Sequence, residues 1–512
     1  RATSSPLENL HHEFWCAGAK PLLLPAPGGE KRMSHRILRK TKIIATIGPA
    51  SDSVETIKAM IRAGMNVARL NFSHGSHADH RKRIAMIRQA SDELDANLAI
   101  LLDTRGVEIR TGRVQGGTMT LTTGEHFKLY TDGRPADSEG VAISYRTLAD
   151  EVEEGSRILV DDGVIELRVV DIAPDCVSCE ILRGGRLGDR KGVNIPDISI
   201  PYTDMSNQER EDILFAIENE ITYIAASFVR GARDVLAIRR ILDERNTHIP
   251  IIAKIESKDG VDRLDEIIAV SDGTMVARGD LGVEVEVQEV PMIQKRIIHS
   301  TVRAGKPVIT ATQMLDSMER NPIPTRAEVS DVANAIFDGT SAVMLSGETA
   351  SGAYPVEAVR TMAALALRAE DSLTEYGHLQ VTDSEPADKV TDAVSQAAIT
   401  MAHHLGATAI VTLTETGFTS RSISKFRPRC PILAITVSSD VVSKLSMNWG
   451  VTGILFSGDG SNGSDDEMLR FAARRGVELG YIEPGDLIVA THGVDRESGS
   501  TSMIRVLNVP ES

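Results

Sequence analysis

Residues 222–256 read TYIAASFVRGARDVLAIRRILDERNTHIPIIAKIE, and two apolar runs within them flank an amphipathic stretch. The runs TYIAASF (222–228) and PIIAKIE (250–256) are typical of strands that are buried on both faces. Between them, DVLAIRRILDER (234–245) repeats apolar residues at helical spacing. A strand, a helix and a second strand in this order predict two parallel strands joined by a crossover helix.

The same unit recurs on both sides of this stretch. Most of the further apolar runs are followed by a helical pattern such as SVETIKAMIRAG (53–64). These runs are KIIATIG (42–48), NVARLNF (66–72), LAILLD (98–103), GTMVARGD (273–280), KPVITATQM (306–314) and SAVMLSG (341–347). Together with the first two strands they make eight strand–helix units, which predict an α/β fold built on a closed (β/α)8 TIM barrel.

Two segments depart from this pattern, and a chain of 512 residues is too long for one hydrophobic core. After the third predicted strand the sequence alternates short strands with tight turns, as in VDDGVIEL (160–167), where Asp162 and Gly163 are the predicted turn. After residue 375 helices and strands alternate again. We therefore predict a disordered segment or extension at 1–37, a barrel domain at 38–104 and 204–375, an inserted all-β domain at 105–203 and a C-terminal α/β domain at 376–512.

Composition and charge exclude several classes of function. The formal charge of −16 argues against general nucleic-acid binding, and no apolar run approaches the roughly 20 residues that span a membrane. Four cysteines are too few for a disulfide framework and suit a reducing cytoplasm, so we expect a cytoplasmic protein. We interpret residues 1–32, which precede Met33, as a disordered extension, a product of start-site choice or a tag-like leader.

Charged residues gather where the predicted strands end, which is the side of a barrel that carries the active site. Lys254 and Glu256 are two residues apart on one strand and therefore point to the same face, and Asp280 ends the next strand. Two carboxylates completed by water and substrate oxygens suit Mg²⁺, and a nearby ammonium would stabilise developing negative charge. The alternative interpretation of Lys254 and Glu256 is a salt bridge at the rim.

Other rim residues suggest an anion site and a monovalent cation site. The backbone around Gly279 turns from strand to helix and would expose N–H groups to an anion, and Arg69 would suit a phosphate. Hard oxygen donors from adjacent strand ends could hold a monovalent cation; these are Asn71, Ser73, Asp103 and the Thr104 carbonyl.

Three histidines follow the second strand at helical spacing, at positions 74, 77 and 80. This spacing could suggest a metal site. We favour the other interpretation, in which His77 and His80 are solvated residues of a helix surface.

Nine strings resemble the pyruvate kinase family in both content and order, and they are distributed from residue 41 to residue 355. They are TKIIATIGPAS (41–51), NVARLNFSHG (66–75), LLDTRGVEIRTG (101–112), KGVNIP (191–196), IAASFVR (224–230), IIAKIES (251–257), VARGDLGVE (276–284), KPVITATQMLDSM (306–318) and PTRAEVSDVANAIFDGTSAVMLSGETASGAYP (324–355). The resemblance implies phosphoryl transfer from phosphoenolpyruvate to ADP, giving pyruvate and ATP in the last step of glycolysis.

The resemblance also implies roles at the rim. Glu256 and Asp280 would hold Mg²⁺ or Mn²⁺, and Lys254 would stabilise the phosphoryl group in flight and the enolate left behind. Arg69 would hold the substrate phosphate, and the backbone of Gly279 and Asp280 would receive the carboxylate. Thr312 would lie near the face where the enolate carbon is protonated, through water.

The family's potassium site is matched by Asn71, Ser73, Asp103 and Thr104, and its nucleotide contacts by Asn71, His74, Arg110 and Lys191. Glu108 occupies the position where K⁺-dependent members carry Glu, which favours K⁺ dependence. Arg105 and Val107 replace the usual Lys and Pro at the start of the inserted domain and leave its hinge behaviour open. The resemblance implies that the inserted domain at 105–203 is a β-barrel lid domain, which would exclude water so that ADP accepts the phosphoryl group.

The C-terminal domain resembles the family's regulatory domain. The segment TLTETGFTSR (412–421) is a turn between strand and helix that could cradle the phosphate of an effector, a sugar phosphate or AMP. The effector residues would be Thr412, Thr414, Thr416, Gly417 and Thr419. A plain structural loop and a loss of regulation remain open as alternatives. The resemblance further implies a homotetramer.

Two rival functions remain open at this point. A Mg²⁺-dependent barrel lyase or aldolase acting on an oxo-acid would also use paired carboxylates and a lysine, but it would need neither the lid nor the potassium ligands. A non-catalytic binding protein could retain the fold. Formation of ATP from ADP and phosphoenolpyruvate separates the three.

Overall fold

The structure is a computed structural model, and it describes residues 38–106, 109–196, 205–377, 389–457, 464–493 and 501–511. No helix in these ranges is long and apolar enough to cross a membrane. The strands, in chain order, are β1 (Lys42–Thr46), β2 (Val67–Asn71), β3 (Ala99–Asp103), β4 (Thr118–Leu121), β5 (His126–Tyr130), β6 (Gly140–Ala142), β7 (Arg157–Val160), β8 (Ile165–Ala173), β9 (Cys176–Arg183), β10 (Gly185–Gly188), β11 (Val193–Asn194), β12 (Tyr223–Ala226), β13 (Ile251–Ile255), β14 (Gly273–Ala277), β15 (Val308–Ala311), β16 (Ala342–Leu345), β17 (Ala409–Leu413), β18 (Ile432–Thr436), β19 (Val451–Leu455), β20 (Leu487–Gly493) and β21 (Thr501–Asn508).

Seven of the described helices begin at a Ser or Thr cap, as at Ser76 and Thr325, whose hydroxyls accept a backbone N–H of the first turn. The helices are α1 (Val54–Ala63), α2 (His77–Glu93), α3 (Leu148–Glu151), α4 (Asn207–Glu218), α5 (Ala232–Glu244), α6 (Lys258–Asp262), α7 (Leu264–Val270), α8 (Arg278–Glu284), α9 (Val290–Arg303), α10 (Arg326–Phe337), α11 (Gly347–Ala350), α12 (Pro355–Asp371), α13 (Leu373–Tyr376), α14 (Lys389–Leu405), α15 (Phe418–Lys425), α16 (Ser439–Lys444) and α17 (Asp465–Glu478). Short 3₁₀ turns lie at Gln115–Gly117, Val287–Glu289 and Asp316–Glu319.

Eight parallel strands close into a barrel in the order β1-β16-β15-β14-β13-β12-β3-β2, which confirms the predicted fold class. Alternate residues of each strand fill the barrel interior, and Leu101, Ile252, Met275 and Tyr223 are completely or almost completely buried there. The other residues pack outward against the helices in a second, larger core. Two packed apolar layers of this kind fix the strand ends, and with them the rim.

Seven of the eight predicted barrel strands end one to three residues earlier than expected, and at one of them this changes the position of a site residue. The run GTMVARGD was predicted as a strand through residue 280, but β14 ends at Ala277 and α8 begins at Arg278. The interaction that fixes this turn is a hydrogen bond from Gly279 N to Thr312 Oγ1 on the neighbouring strand's loop, at 2.8 Å. Asp280 therefore lies in the first turn of a helix rather than at the end of a strand.

Between β3 and β12 the chain forms a six-stranded sheet (β11-β7-β8-β9-β5-β6) and a two-stranded sheet (β10-β4) around a separate apolar core. The predicted hairpin joins β7 to β8. Asp162 and Gly163 both have positive φ, and Val164 N donates to Asp161 O, as the predicted turn requires. Over its described residues the insertion is therefore all-β apart from the single turn of α3 and one 3₁₀ turn.

The C-terminal segment forms a five-stranded sheet in the order β19-β18-β17-β20-β21, parallel except for β21. Apolar clusters cover both of its faces. The sheet lies against the N-terminal side of the barrel, where Lys42 Nζ donates to Val451 O at 2.6 Å and Met447 joins the barrel interior.

Candidate active site

A chain of ion pairs crosses the C-terminal rim of the barrel. Arg69 Nε at the end of β2 lies 2.7 Å from Asp103 Oδ2 at the end of β3, and Arg69 Nη1 donates to Thr46 Oγ1 at 2.9 Å. Lys254 Nζ on β13 lies 3.1 Å from Asp103 Oδ1 and 2.8 Å from Glu256 Oε1. All these side chains are buried. The salt bridge between Lys254 and Glu256 therefore exists, but it lies inside the site rather than on an exposed rim.

Ser227 directly follows β12 and was not predicted as a site residue, although it lies at a strand end as Asp103 and Lys254 do. Its Oγ accepts from Lys254 Nζ at 2.7 Å and lies 2.6 Å from the Thr104 carbonyl and 3.2 Å from Asp103 Oδ1. It thus fixes the position of the ammonium between the strands. The signal was a hydroxyl directly after a buried strand, in TYIAASF.

Burial and neighbouring charges set the protonation of this cluster. Burial alone would raise the pKa of Asp103, but Lys254 and Arg69 outweigh it and hold that pKa below its usual value. Burial alone would lower the pKa of Lys254, but Asp103 and Glu256 outweigh it and raise that pKa. Lys254 is therefore a fixed cation rather than a proton donor near neutral pH.

The pKa of Glu256 is shifted in the opposite direction from that of Asp103. Burial raises its pKa to about 7; Lys254 opposes this rise, and the charge of Asp280 adds to it. Its Oε2 accepts the Phe228 N–H at 2.5 Å. A carboxylate that is buried, repelled by a second carboxylate and only partly compensated is suited to a divalent cation, because such an ion would remove that repulsion.

The oxygen donors at Glu256 and Asp280 are of the kind that Mg²⁺ or Mn²⁺ prefers. Within the described ranges, no group of three or more His, Cys, Asp and Glu side chains is arranged to hold a metal ion. A pair of carboxylates therefore fits an ion that keeps water and substrate oxygens, but not a closed protein cage.

The loop after β15 places Thr312 beside α8. Thr312 Oγ1 accepts from Gly279 N at 2.8 Å and lies 2.6 Å from the Ala311 carbonyl, to which it donates. Thr312 and Gln313 have φ of 63° and 52°, the left-handed region that a β-branched residue rarely adopts. The Gly279 N–H predicted to receive a carboxylate is thus engaged by Thr312 in this structure.

The predicted potassium ligands lie together at the ends of β2 and β3. Asn71 is paired in register with Asp103, Thr104 follows directly, and Ser73 N donates to Asn71 Oδ1 at 3.0 Å. Ser73 and His74 are exposed. Asp103, however, is already engaged by Arg69 and Lys254, so it links the candidate cation site to the ion-pair chain.

The interpretation of His80 as a solvated residue is wrong. His80 is 1% exposed and stacks on Phe72 with ring centroids 3.9 Å apart, and its Nε2 lies 3.0 Å from the His74 carbonyl. His77 is partly buried, with Nε2 2.6 Å from Asp212 Oδ1. The histidines are spread among different partners, and no metal cluster forms among the described residues.

We expect His80 to make the folded protein sensitive to acid. Burial, Arg83 and His77 lower its pKa from 6.5 to about 4, although the His74 carbonyl opposes this. Between pH 6.5 and pH 4 the unfolded chain therefore binds a proton at His80 that the folded chain does not bind. The contribution of neutral His80 to the free energy of unfolding is fully present above pH 6.5 and is lost as the pH decreases toward 4. At pH 5 the loss is about 2 kcal/mol.

Urea unfolding at pH 7.5 and pH 5 would measure this loss, with His80→Leu as the test. The variant should lose less stability than the wild type between the two pH values. His404→Leu, at an exposed position on α14, should follow the wild type. An acid sensitivity that His80→Leu leaves unchanged would contradict the assignment.

Arg110 and Lys191, the predicted nucleotide residues of the inserted domain, belong to neighbouring backbone segments. Thr111 N donates to Lys191 O at 2.8 Å, and Arg110 forms an isolated bridge with Gly192. Lys191 Nζ lies 2.9 Å from Asp161 Oδ1. The structure thus brings these two residues together within the insertion.

At the start of the insertion, Arg105 Nε lies 3.4 Å from Asp212 Oδ2 on α4. Val107 and Glu108, on which part of the lid and potassium predictions depend, lie outside the described residues. A cleft of about 580 Å³ separates the insertion from α6, from α8 and from the 3₁₀ turn that follows α8. Asn194 Nδ2 donates to Glu284 Oε1 across this boundary at 2.7 Å.

In the predicted effector loop most hydroxyls are engaged within the protein. Thr412 Oγ1 lies 2.7 Å from Ser420 Oγ, Thr414 Oγ1 accepts from Gly417 N at 2.9 Å, and Thr419 Oγ1 lies 2.6 Å from Thr501 Oγ1. Gly417 has a φ of 79° and caps α15. Thr416 is exposed, and its carbonyl accepts from Arg421 Nη1 at 3.0 Å. The loop is a closed turn from which Thr416 projects.

A TIM barrel with a buried ammonium between carboxylates at its C-terminal rim, and a β domain inserted beside that rim, defines an enzyme that stabilises negative charge on its substrate. Comparison with known proteins identifies the family. A family model described as pyruvate kinase, barrel domain, matches residues 38–359, and one described as pyruvate kinase, alpha/beta domain, matches residues 392–507.

Pyruvate kinases of several bacteria are similar to this chain over most of its length. That of Bacillus licheniformis is 48% identical over 473 residues, covering 92% of this chain and 80% of the relative. That of Clostridium acetobutylicum is 46% identical over 472 residues, covering 92% of this chain and 99% of the relative. That of Staphylococcus aureus strain MRSA252 is 48% identical over 475 residues, covering 92% and 80%.

The chain belongs to the pyruvate kinase family. It is accordingly a transferase of glycolysis, and the alternative of a barrel lyase or aldolase is not favoured.

Proposed function

We propose that this protein transfers the phosphoryl group of phosphoenolpyruvate to ADP at the rim around Lys254. The observation that carries the proposal is the ammonium of Lys254, buried and held by Asp103, Glu256 and Ser227. A cation fixed in this way needs no reorganisation when charge moves from the phosphoryl oxygens to the enolate. Its raised pKa keeps it charged throughout turnover.

Arg69 is the second cation of this site. Its Nε and Nη1 donate to Asp103 and Thr46, and these two bonds orient the guanidinium. The guanidinium has further N–H groups with which it can donate to a phosphate. Arg69 binds the substrate phosphate and Lys254 lies beside the bond that breaks. Phosphoryl transfer depends mainly on such positioning and charge neutralisation, which these two residues supply.

Glu256 and Asp280 are the residues that hold Mg²⁺ or Mn²⁺ in this proposal. The buried position of Glu256 and the repulsion between the two carboxylates support it. When bound, the ion neutralises charge on the substrate oxygens. The backbone N–H groups at Gly279 and Asp280 receive the substrate carboxylate, for which Thr312 Oγ1 must release or share the Gly279 N–H.

The enolate that remains after transfer needs a proton at its methylene carbon. Thr312 lies beside the proposed carboxylate position. Its hydroxyl can donate its proton to that carbon and recover one from a water molecule, which solvent then reprotonates. Lys254 stabilises the enolate oxygen until the proton arrives.

ADP contacts Asn71 and His74 from the barrel rim and Arg110 and Lys191 from the insertion in this proposal. The two groups lie on opposite sides of the boundary between barrel and insertion, so closure would assemble the nucleotide site and exclude water. Water exclusion is what makes ADP, rather than water, the acceptor.

A steady-state assay with phosphoenolpyruvate, ADP and saturating Mg²⁺ and K⁺ tests the proposal. We expect stoichiometric ATP and pyruvate. Pyruvate without ATP would instead indicate the lyase or a hydrolytic reaction, and no turnover at all would indicate a binding protein that retains the fold.

We expect turnover to require K⁺, bound by Asn71, Ser73, Asp103 and Thr104. A monovalent cation beside Asp103 would complete the charge balance at the substrate phosphate, and removing it should lower kcat about a hundredfold. The measurement compares KCl with tetramethylammonium chloride at equal ionic strength. Equal rates in the two salts would contradict the assignment, and sodium should restore only part of the rate.

Regulation, assembly and location are further parts of the proposal. The loop with Thr412, Thr414, Thr416, Gly417 and Thr419 binds the phosphate of a sugar phosphate or AMP. For this, its hydroxyls must break their present hydrogen bonds within the protein and form new ones to the phosphate.

The chain assembles as a homotetramer, which light scattering would detect as four copies of 55.3 kDa. A cytoplasmic location accords with free thiols at the three described cysteines.

A further inference from the structure

The turn that carries Thr312 is held in an unfavourable backbone conformation. Two consecutive non-glycine residues, Thr312 and Gln313, have positive φ, and the first of them is β-branched. Such a conformation persists only where surrounding contacts over-determine it. The contacts that hold this turn therefore decide where the Thr312 hydroxyl lies.

The guanidinium of Arg278 supplies those contacts. Its Nε donates to the Ala311 carbonyl at 3.2 Å, and its Nη2 donates to the carbonyls of Thr312 at 2.7 Å and Gln313 at 3.3 Å. Three successive backbone carbonyls are thus bound by one side chain, which is largely buried.

The other side of the guanidinium is oriented by α10. Arg278 Nη1 lies 2.7 Å from the Asp331 carboxylate and 3.5 Å from Gln294 Oε1 on α9. Arg278 is also the first residue of α8, directly before Gly279 and Asp280. One residue therefore ties the proposed metal and carboxylate site on α8 to the turn that carries Thr312.

We propose that Arg278, oriented by Asp331, is a positioning residue for Thr312 in the protonation of the enolate. The inference rests on the proposed function in one respect, which is the role of the Thr312 hydroxyl in passing the proton. Lysine cannot replace Arg278 here, because an ammonium lacks the planar fork that reaches three carbonyls and a carboxylate together.

Exchange of the pyruvate methyl hydrogens with D₂O measures protonation separately, because it is the reverse of that step. The exchange is followed by NMR with Mg²⁺, K⁺ and ATP present. We expect Arg278→Lys to slow exchange and kcat by roughly 10- to 100-fold. This is less than the roughly 10²- to 10⁴-fold that a proton-transfer group itself contributes, because Arg278 only positions that group. The KM for phosphoenolpyruvate and the affinity for Mn²⁺ should change less than about threefold, because the groups that bind them remain.

Arg239→Lys is the matched control. Arg239 is also paired with an aspartate, Asp272, at 2.6 Å, and it also donates to a backbone carbonyl, but it lies on α5, away from the rim. The exchange rate and kcat of the Arg239→Lys variant should equal those of the wild type. Asp331→Asn should also slow exchange and lower kcat, but by a smaller factor than Arg278→Lys, because the guanidinium keeps its contacts with the three carbonyls.

Thr312→Val and the double variant Arg278→Lys/Thr312→Val separate this inference from the proposed function. If Arg278 acts through Thr312, the double variant exchanges no more slowly than Thr312→Val alone. Wild-type exchange in Arg278→Lys, or losses that multiply in the double variant, would overturn the inference while leaving the role of Thr312 intact. Wild-type exchange in Thr312→Val would overturn both.

Discussion

Replacing Lys254 with methionine is expected to lower kcat by about three orders of magnitude. Methionine keeps the volume of the side chain and removes the one fixed cation that contacts both Asp103 and Glu256. Loss of a single preorganised donor costs about 10²–10³ in rate, and a full charge in a buried site lies at the upper end of that range. Single-turnover formation of ATP from bound phosphoenolpyruvate and ADP measures the effect directly.

The same substitution is expected to destabilise the protein. Two buried carboxylates lose their common cation, and removal of one partner of a buried ion pair costs about 3–5 kcal/mol. Rates must therefore be compared well below the unfolding midpoint. Lys306→Met is the control, since Lys306 is also partly buried and donates to the Ser271 carbonyl at 2.6 Å, away from the rim. Turnover of Lys254→Met within tenfold of the control would contradict the proposed role.

Replacing Glu256 with glutamine is expected to weaken Mn²⁺ binding at least about a hundredfold. The substitution keeps the shape of the side chain but removes one of the two negative charges that Glu256 and Asp280 offer to the ion. Changes in the residues that merely surround metal ligands already cost about 10- to 100-fold in affinity, so loss of a ligand charge should cost at least as much. The free Mn²⁺ signal in electron paramagnetic resonance reports binding without any need for turnover.

Glu370→Gln is the control for this titration. Glu370 is another buried carboxylate, and it accepts the backbone N–H groups of Lys40 and Thr41 on the opposite side of the barrel. Its Mn²⁺ affinity should equal that of the wild type, whereas Asp280→Asn should behave like Glu256→Gln. Wild-type affinity in either rim variant would show that the ion binds elsewhere.

The barrel could be predicted because its evidence is local and repeated. Each buried parallel strand leaves an apolar run such as IIAKI, and each crossover leaves a helical period. The rim could be predicted for the same reason, because the end of every strand in a parallel barrel faces one side. Lys254, Glu256 and Asp103 were identified in this way, since each is a charged residue at the end of a buried run.

What the sequence did not reveal depends on contacts between segments that are distant along the chain. Asp103 was interpreted as a cation ligand, and only closure of the barrel places Arg69 and Lys254 on its two oxygens. The left-handed turn at Thr312 has no signature in ATQML, because the guanidinium that holds it lies 34 residues earlier. Backbone strain at a functional site is where local rules are expected to fail.

The error at His80 was avoidable. His80, Ile84, Ile87 and Ala90 are the buried residues of α2, and their spacing marks one face of the helix. The spacing of apolar residues in KRIAMIRQA would have indicated a buried position for His80, but the polarity of imidazole was given more weight.

The central claim is that Glu256 and Asp280 converge on one divalent cation beside the ammonium of Lys254. Anomalous scattering from a crystal grown with Mn²⁺ tests this claim most directly. The account predicts one manganese peak per chain at this rim, within bonding distance of a carboxylate oxygen from each of the two residues. A peak bonded to only one of them, or a rim without manganese while the ion is bound elsewhere, would contradict it.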